Sequence, residues 1–189
     1  MKIVATKENL LEGINTVQKA VSHKNTIPIL EGIYLKAKNN FLYFAATDLE
    51  IGIECKVQVN VIEEGEIVLP ARHFSDLVRK LPNTKITITY LSDILGVSIE
   101  YNEAQVHLKG WPGEEFPKIP DLEGNFQLEL HTSLLKNMIK QTLFATSADE
   151  NRPIFTGVLF EINDNQLSMV STDTHRLVLR IGKINNNTE

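Results

Sequence analysis

The chain contains two similar stretches that align without gaps. The first is PILEGIYLKAKNNFLYFAATDLEIGIEC, residues 28–55, and the second is PIFTGVLFEINDNQLSMVSTDTHRLVLR, residues 153–180. The two stretches share an apolar pattern and are identical at these pairs of positions: Pro28 and Pro153, Ile29 and Ile154, Gly32 and Gly157, Asn40 and Asn165, Leu42 and Leu167, Thr47 and Thr172, Asp48 and Asp173. A helix-forming segment near Thr132 also lies where the first helix of the chain requires it. The sequence therefore predicts an internal duplication.

Alternating apolar and polar residues predict strands in and after the first stretch. One predicted strand has two distinct faces: Ile51, Ile53, Cys55, Val57 and Val59 on one, and Glu50, Glu54, Lys56 and Gln58 on the other. The same period recurs in residues 86–90, 95–101 and 106–108, with the turn residues Ser92-Asp93 and Asn102-Glu103 between them. This arrangement is typical of an antiparallel meander.

Apolar residues at helical spacing predict helices that begin near residues 7, 72 and 133, each after a short strand and before further strands. The fold class is therefore α+β, built from repeated strand-helix-strands units. Residues 111–120, WPGEEFPKIP, contain three prolines and are expected to connect two domains. On this reading, residues 1–120 hold two units and form a complete domain, whereas residues 121–189 hold one unit and form the first half of a second domain.

Composition and motifs exclude several classes of protein. The net charge of −5 argues against coating nucleic acid by bulk electrostatics. Cys55 is the only cysteine, so an internal disulfide is excluded, and a reducing cytoplasm is the expected location. No apolar run approaches the roughly 20 residues of a membrane span. There is no Gly-rich phosphate loop and no His-Glu-x-x-His motif, so neither a cofactor nor a metal is predicted.

Basic residues gather on the predicted helices, while acidic residues gather on strands and turns. Arg72 and Arg79 recur at helical spacing after Pro70, and Lys136 and Lys140 lie one turn apart on the third helix. Two interpretations remain open. The charged stripes are either ordinary solvated helix faces or a surface that faces DNA while the sheets face outward.

Residues 171–176, STDTHR, contain hydroxyl groups, a carboxylate and an imidazole. A hydrolase that uses Asp173 and His175 is one interpretation. The alternative is a turn in which Asp173 binds nearby backbone amides. The duplication favours the turn, because Thr47-Asp48 occupies the same place in the first repeat without a histidine.

Five segments together resemble the bacterial beta sliding clamp family, in the family's order and spacing: residues 28–30 (PIL), 46–50 (ATDLE), 69–74 (LPARHF), 116–117 (FP) and 172–177 (TDTHRL). The resemblance covers essentially the whole chain and corresponds to the amino-terminal half of a clamp subunit. It implies the DNA-clamp fold, with sheets outside and helices lining a central hole. It also implies a non-catalytic processivity factor for the replicative DNA polymerase, which encircles duplex DNA as a head-to-tail homodimer and is loaded by a separate ATP-driven clamp loader.

The resemblance also implies site residues. Lys24, Arg72 and Arg79 would contact DNA. A pocket for the peptides of polymerases and other partners would comprise Phe155, Thr172, Thr174, His175, Arg176 and Leu177. Phe155 and Leu177 would form apolar wall, Thr172 would offer a hydroxyl, and Arg176 would shape the rim. Thr174 stands where better-known members have glycine, which puts the depth of the pocket and its peptide preference in question.

Length is the larger departure from the family, because the rest of the second domain and all of a third would be missing. The chain is therefore expected to be a fragment that cannot close a ring by itself. The competing interpretation is a free-standing module that binds peptides through Phe155 and residues 175–177 without encircling DNA.

Overall fold

The computed structural model describes residues 1–21, 27–120, 128–163 and 165–184. The protein divides into two compact units, unit 1 being residues 1–121 and unit 2 residues 122–189. Lys24, predicted to contact DNA, lies outside the described residues.

Unit 1 contains two antiparallel five-stranded sheets and two helices. The first sheet has the order β5-β1-β7-β8-β9, with β1 at Lys2–Thr6, β5 at Asn60–Glu63, β7 at Lys85–Leu91, β8 at Gly96–Tyr101 and β9 at Ala104–Lys109. The second has the order β10-β6-β2-β3-β4, with β2 at Gly32–Lys38, β3 at Phe41–Thr47, β4 at Gly52–Gln58, β6 at Gly65–Pro70 and β10 at Trp111–Pro112. The helices are α1, Lys7–Val17, and α2, Ala71–Lys80.

Both helices bury one stripe in a core that is shared with the two sheets. Helix α1 begins at Thr6, whose hydroxyl accepts a hydrogen bond from the amide of Asn9 at 3.2 Å. It buries Leu10, Gly13, Ile14 and Val17, which recur at helical spacing. Helix α2 buries Ala71, Phe74, Ser75 and Val78 in the same way. Apart from Ser75, the polar residues of both helices are thereby left outside the core.

Unit 2 repeats half of this arrangement, and the residue numbers of equivalent positions differ by 125, as for Pro28 and Pro153. Its elements are α3, Thr132–Thr142, and a three-stranded antiparallel sheet of β11, Leu159–Asn163, β12, Gln166–Thr172, and β13, Leu177–Lys183. Helix α3 begins and ends 125 residues after α1.

Strand register is conserved between the two repeats. Tyr34 pairs with Ala45 in unit 1, and Leu159 pairs with Val170 in unit 2. Likewise Phe41 pairs with Gln58, and Gln166 pairs with Lys183. A backbone hydrogen bond after the last strand also matches. The amide of Val59 donates to the carbonyl of Asn40 at 3.0 Å, and the amide of Ile184 donates to the carbonyl of Asn165 at 2.8 Å. The register confirms the predicted duplication.

The two cores fill equivalent space with different side chains. In unit 1 a Cβ added to Gly13 would lie 2.4 Å from the ring of Phe44. The equivalent positions in unit 2 hold Met138 and Met169, both fully buried. A flexible side chain on the helix therefore replaces an aromatic ring on the strand.

Two local expectations are corrected by the structure. Residues 111–119 are not only a connector. Trp111 and Pro112 pair with β6 at the edge of a sheet, where a proline is tolerated although it has no backbone N–H to donate. Phe116 is buried against Tyr34. Leu95, expected at the start of a strand, lies in the turn before β8 with φ of 46° and is exposed.

Within the described ranges, no helix is long and apolar enough to cross a membrane. The same residues contain no group of three or more His, Cys, Asp or Glu side chains that could hold a metal ion.

The Gly13 contact generates a stability prediction. Gly13→Ala is expected to destabilise unit 1 by about 1–3 kcal/mol, because the new methyl group overlaps the ring of Phe44. Urea unfolding followed by the fluorescence of Trp111, the only tryptophan, reports on unit 1. Adding Phe44→Leu should make the double variant more stable than the sum of the single effects predicts. Strictly additive effects would contradict this account of the packing.

Candidate functional site

A tight turn joins β12 to β13 and brings five of the six predicted pocket residues together. Thr172 ends β12 and pairs with Leu177, which begins β13. The Thr172 hydroxyl accepts a hydrogen bond from the Thr174 amide at 3.1 Å and donates one to the Arg176 carbonyl at 2.7 Å. His175 is exposed between them. The side chain of Thr172 therefore holds both ends of the turn.

Asp173 completes the turn through its carboxylate. One oxygen, Oδ1, accepts hydrogen bonds from the amides of Arg176 at 2.9 Å and His175 at 3.0 Å, while Oδ2 lies 2.9 Å from Nε of Arg176. The amide of Arg176 is the largest cause that lowers the pKa of Asp173 below its ordinary value. Because these contacts occupy the carboxylate and none involves the His175 imidazole, the geometry favours the turn interpretation over a hydrolase.

The first repeat builds the same turn with Leu49, Glu50 and Ile51 in place of Thr174, His175 and Arg176. Asp48 accepts hydrogen bonds from the amides of Ile51 at 2.7 Å and Glu50 at 3.0 Å, and the Thr47 hydroxyl accepts one from Leu49 at 3.0 Å. Leu49 and its counterpart Thr174 both have φ of 77°. A glycine would adopt this left-handed conformation without strain, so Thr174 occupies a position that disfavours its Cβ.

Arg176 is held by two neighbours on one side. Its Nε binds Asp173, and its guanidinium carbon lies 5.6 Å from the centre of the Phe144 ring. Phe144 belongs to a 3₁₀ turn, Leu143–Ala145, that directly follows α3. These contacts fix the direction of the side chain and leave the two terminal nitrogens without a hydrogen bond among the described residues.

Phe155, the sixth predicted pocket residue, lies on a separate segment. It ends a 3₁₀ turn, Pro153–Phe155, and its carbonyl accepts a hydrogen bond from the Ser147 amide at 2.8 Å. In unit 1 the equivalent Leu30 is fully buried, together with Ile29, in a cluster that contains Val68 and Phe116. In unit 2 Ile154 is 83% exposed and Phe155 is only half-buried.

The outer face of the unit 2 sheet also carries exposed apolar residues. Leu177 and Leu179 alternate on β13, and Leu179 is paired through Val170 with Leu159. The three leucines are at least half exposed. Their unit 1 counterparts are Gly52, Glu54 and Tyr34. An apolar surface of this extent on a small domain marks a place that another surface covers.

Sequence reasoning did not predict Phe144, Ile154 or Leu179 as parts of this surface. The duplication carried the signal, because Phe144 stands at the position of the exposed Lys19, and Leu179 at that of the exposed Glu54. An apolar residue in one repeat, at a position that the other repeat exposes to water, indicates a surface with its own function.

The predicted basic surface lies on the solvent side of α2. Arg72 and Arg79 are both exposed and lie two helical turns apart. Arg79 donates hydrogen bonds of 3.4 Å from Nη2 to Asn15 of α1 and to Gln18, which directly follows that helix. Arg72 borders a groove with His73, Leu77 and Leu108. The structure thus places both arginines on one helix face, with Arg79 anchored to the neighbouring helix.

Unit 2 has a similar basic helix face. Lys136 and Lys140 are exposed on α3. Arg180 on β13 donates a hydrogen bond of 2.8 Å from Nε to Gln141, on the same helix. The acidic residues Asp149 and Glu150 lie beyond the helix, in the loop that follows. Each unit therefore carries cationic side chains on the exposed side of its helices.

Comparison with known proteins agrees with this architecture. Residues 1–120 match the sequence profile of the DNA polymerase III beta subunit, N-terminal domain, and residues 129–189 match that of its central domain. The Beta sliding clamp of Bacillus subtilis is 38% identical over 192 residues, covering 97% of this chain and 50% of that protein. The chain spans about half the length of the relatives it matches.

Solved structures give the same result. The DNA polymerase sliding clamp from Bacillus subtilis has a TM-score of 0.93 at 37% identity, covering 98% of this chain and 50% of that one. A sliding clamp from Pseudomonas aeruginosa, bound to griselimycin, has a TM-score of 0.92 at 28% identity, covering 98% of this chain and 50% of that one. The predicted α+β clamp fold is confirmed, and the chain belongs to the family of the bacterial DNA polymerase III beta subunit, the beta sliding clamp.

Proposed function

We propose that this chain is the amino-terminal half of a sliding clamp subunit, a non-catalytic processivity factor that encircles duplex DNA and tethers the replicative polymerase. The observation that carries the proposal is the match of nearly the whole chain to one half of the Bacillus subtilis clamp, in sequence and in fold. Residues 1–120 then form the complete first domain, and residues 121–189 the first half of the second.

The repeat supports the assignment of unit 2 as a half-domain. In unit 1, β2 pairs with β3 on one side and with β6 on the other. In unit 2, its equivalent β11 pairs with β12 alone among the described strands. Shifted by the repeat length, the counterpart of β6 would fall at about residues 190–195. In the full subunit, that strand would cover the open edge of β11.

Sliding requires contacts with DNA that are weak and independent of base sequence, because tight binding would stop movement along the duplex. Two arginines on α2 within a chain of net charge −5 provide such a modest cationic surface. Topological linkage, rather than affinity, would then retain the protein on DNA. We propose that the intact subunit closes the ring as a head-to-tail homodimer in the cytoplasm, loaded by a separate ATP-driven clamp loader.

Retention on circular DNA tests the proposed function. Protein purified from its native cells, loaded onto nicked circular DNA with the cells' loader and ATP, is expected to co-elute with the circle from a gel-filtration column. Cutting the DNA once should release the protein, because a ring slides off a free end. Retention that persists after cutting, or binding of partner peptides with no retention at all, would favour the interaction-module alternative.

Contacts by Arg72 and Arg79 are tested by salt dependence. Each substitution to alanine should reduce the magnitude of the slope of log affinity against log salt by about 0.9, provided that the arginine neutralises one phosphate. Anisotropy of a labelled duplex at low ionic strength measures the slope. Lys38→Ala, which removes an exposed cation from the end of β2, is the control and should leave the slope unchanged. An equal effect of the control would show that only net charge matters.

The turn at residues 172–177 is proposed as one wall of the peptide pocket. Its hydroxyl, on Thr172, already donates one hydrogen bond and accepts another, so one acceptor position remains for a peptide N–H. Arg176 is fixed by Asp173 and Phe144 and presents its terminal nitrogens at the rim. Leu177 and Phe155 supply apolar surface, and the chain beyond this half would supply the opposite wall.

Griselimycin is bound to the Pseudomonas aeruginosa clamp, and we propose that it would contact this wall of the chain. Its addition to the chain is expected to shift the amide resonances of residues 172–177. Leu177→Ala should weaken binding about tenfold, because a large apolar contact is lost. Leu95→Ala removes a comparably exposed leucine from unit 1 and should have no effect. Binding that is insensitive to Leu177→Ala would contradict the proposed wall.

A substitution of Thr174, measured in the same experiment, is expected to change the binding affinity in the opposite direction. Thr174→Gly removes a Cβ that φ of 77° disfavours and opens the backbone to the ligand, so tighter binding is expected. Thr174→Ala, which keeps the Cβ, should resemble the wild type more closely than the glycine variant does.

A further inference from the structure

A cavity of about 370 Å³ lies in unit 1, and none of its lining residues is assigned to peptide or DNA binding. Its floor is the outer face of the β2-β3-β4 sheet, and its cover is the segment of residues 113–119, here named the strap. Two glycines let the strap approach. A Cβ on Gly113 would lie 2.6 Å from Cγ of Glu66, and a Cβ on Gly52 would lie 2.9 Å from Cγ2 of Ile119. The strap is thus seated at both ends and leaves the cavity between them.

Aromatic side chains from the sheet and from the strap line the cavity. Tyr34 stacks on Phe116 of the strap with ring centres 5.2 Å apart and an angle of 15°. Tyr43 lines the cavity from the neighbouring strand β3 and is half-buried. Flat aromatic surfaces of this kind favour a planar or cationic group laid against them.

One carboxylate that lines the cavity, that of Glu66, already has a hydrogen-bond donor and a cation beside it. Tyr34 donates a hydrogen bond of 2.7 Å to Oε2 of Glu66, and Nζ of Lys36 lies 3.2 Å from the same oxygen. Burial is the largest cause that raises the pKa of Tyr34, and the Tyr34 hydroxyl is the largest cause that lowers the pKa of Glu66. Glu66 is therefore charged but already balanced by Lys36.

Two further carboxylates line the cavity without such a partner. Glu54 on β4 and Glu114 on the strap are exposed, and neither side chain has an ion pair or hydrogen bond within the part of the chain that the structure describes. The remaining cation, Lys118, acts on Glu66. The cavity thus retains an unbalanced negative charge beside aromatic walls.

The duplication shows that this chemistry is not a requirement of the fold. The equivalents of Tyr34, Tyr43 and Glu54 in unit 2 are Leu159, Ser168 and Leu179. The same sheet face, with the same strand register, has no aromatic side chain at these three positions, and two of the three are leucines. The strand register of this sheet therefore does not by itself require the aromatic and acidic set of unit 1.

We propose that this cavity binds an arginine side chain presented by an extended peptide segment of a partner protein. A guanidinium is planar, stacks on tyrosine and offers paired donors to a carboxylate, which matches the walls and the free acids. An ammonium lacks the planar face. The proposal goes beyond the clamp function and does not depend on ring closure.

The probe is the peptide acetyl-Gly-Arg-Gly-amide, titrated into the isotope-labelled chain and followed by amide resonances. Saturable shifts are expected at residues that line the cavity, and about tenfold weaker binding for the peptide with neutral citrulline in place of arginine. The lysine peptide should also bind more weakly. Absence of saturable shifts, or equal binding of the arginine and citrulline peptides, would overturn the proposal. Equal binding of the lysine peptide would overturn the assignment to a guanidinium.

Glu54→Gln is the matched variant. It keeps the size of the side chain, lies on the exposed rim and should weaken binding of the arginine peptide about fivefold or more. Glu63→Gln removes an exposed acid from β5 in the other sheet of unit 1 and should bind as the wild type does. Unchanged Trp111 emission would show that both variants fold. Equal loss in the two variants would reduce the effect to net charge and contradict the site.

Discussion

The strand register of β2-β3-β4, and of its copy β11-β12-β13, determines which side chains of both repeats reach the core. A slip of one residue would move the side chains of β3, or of its copy β12, from the core to the solvent side. Leu42 and Phe44 are buried in unit 1, and Leu167 and Met169 are buried at the equivalent positions of unit 2. Because the register is shared, a helix of the same length packs at the same place in each repeat.

The two repeats have diverged where the core does not constrain them. The turn after β3 and the turn after β12 use the same threonine and aspartate to bind the same backbone amides. Their remaining residues differ, and only unit 2 carries Arg176 against Phe144. The outer sheet faces differ in the same way: unit 1 has Tyr34 and Glu54 where unit 2 has Leu159 and Leu179. One scaffold therefore presents two surfaces of different chemistry.

Most of this architecture could be predicted from local patterns. Alternation in β4, helical spacing in α1 and α2 and the gap-free repeat all depend on which face of an element meets the core. The contacts of Phe116 with Tyr34 and of Arg176 with Phe144 could not be predicted, because each joins residues that are distant in the chain. The prolines of residues 111–120 were also misleading, since Pro112 occupies an edge strand. In the candidate site, the turn followed from the repeat, while the surrounding apolar surface depends on which side chains unit 2 leaves uncovered.

We infer that these residues form one half of a ring subunit. The intact mass and oligomeric state of the protein from its native cells test this inference, and mass spectrometry combined with light scattering gives both values. A chain of about twice this length that forms a dimer is the expected result, because two such subunits would close a ring. A native product that ends at Glu189 would contradict ring closure by this architecture and would favour a peptide-binding module.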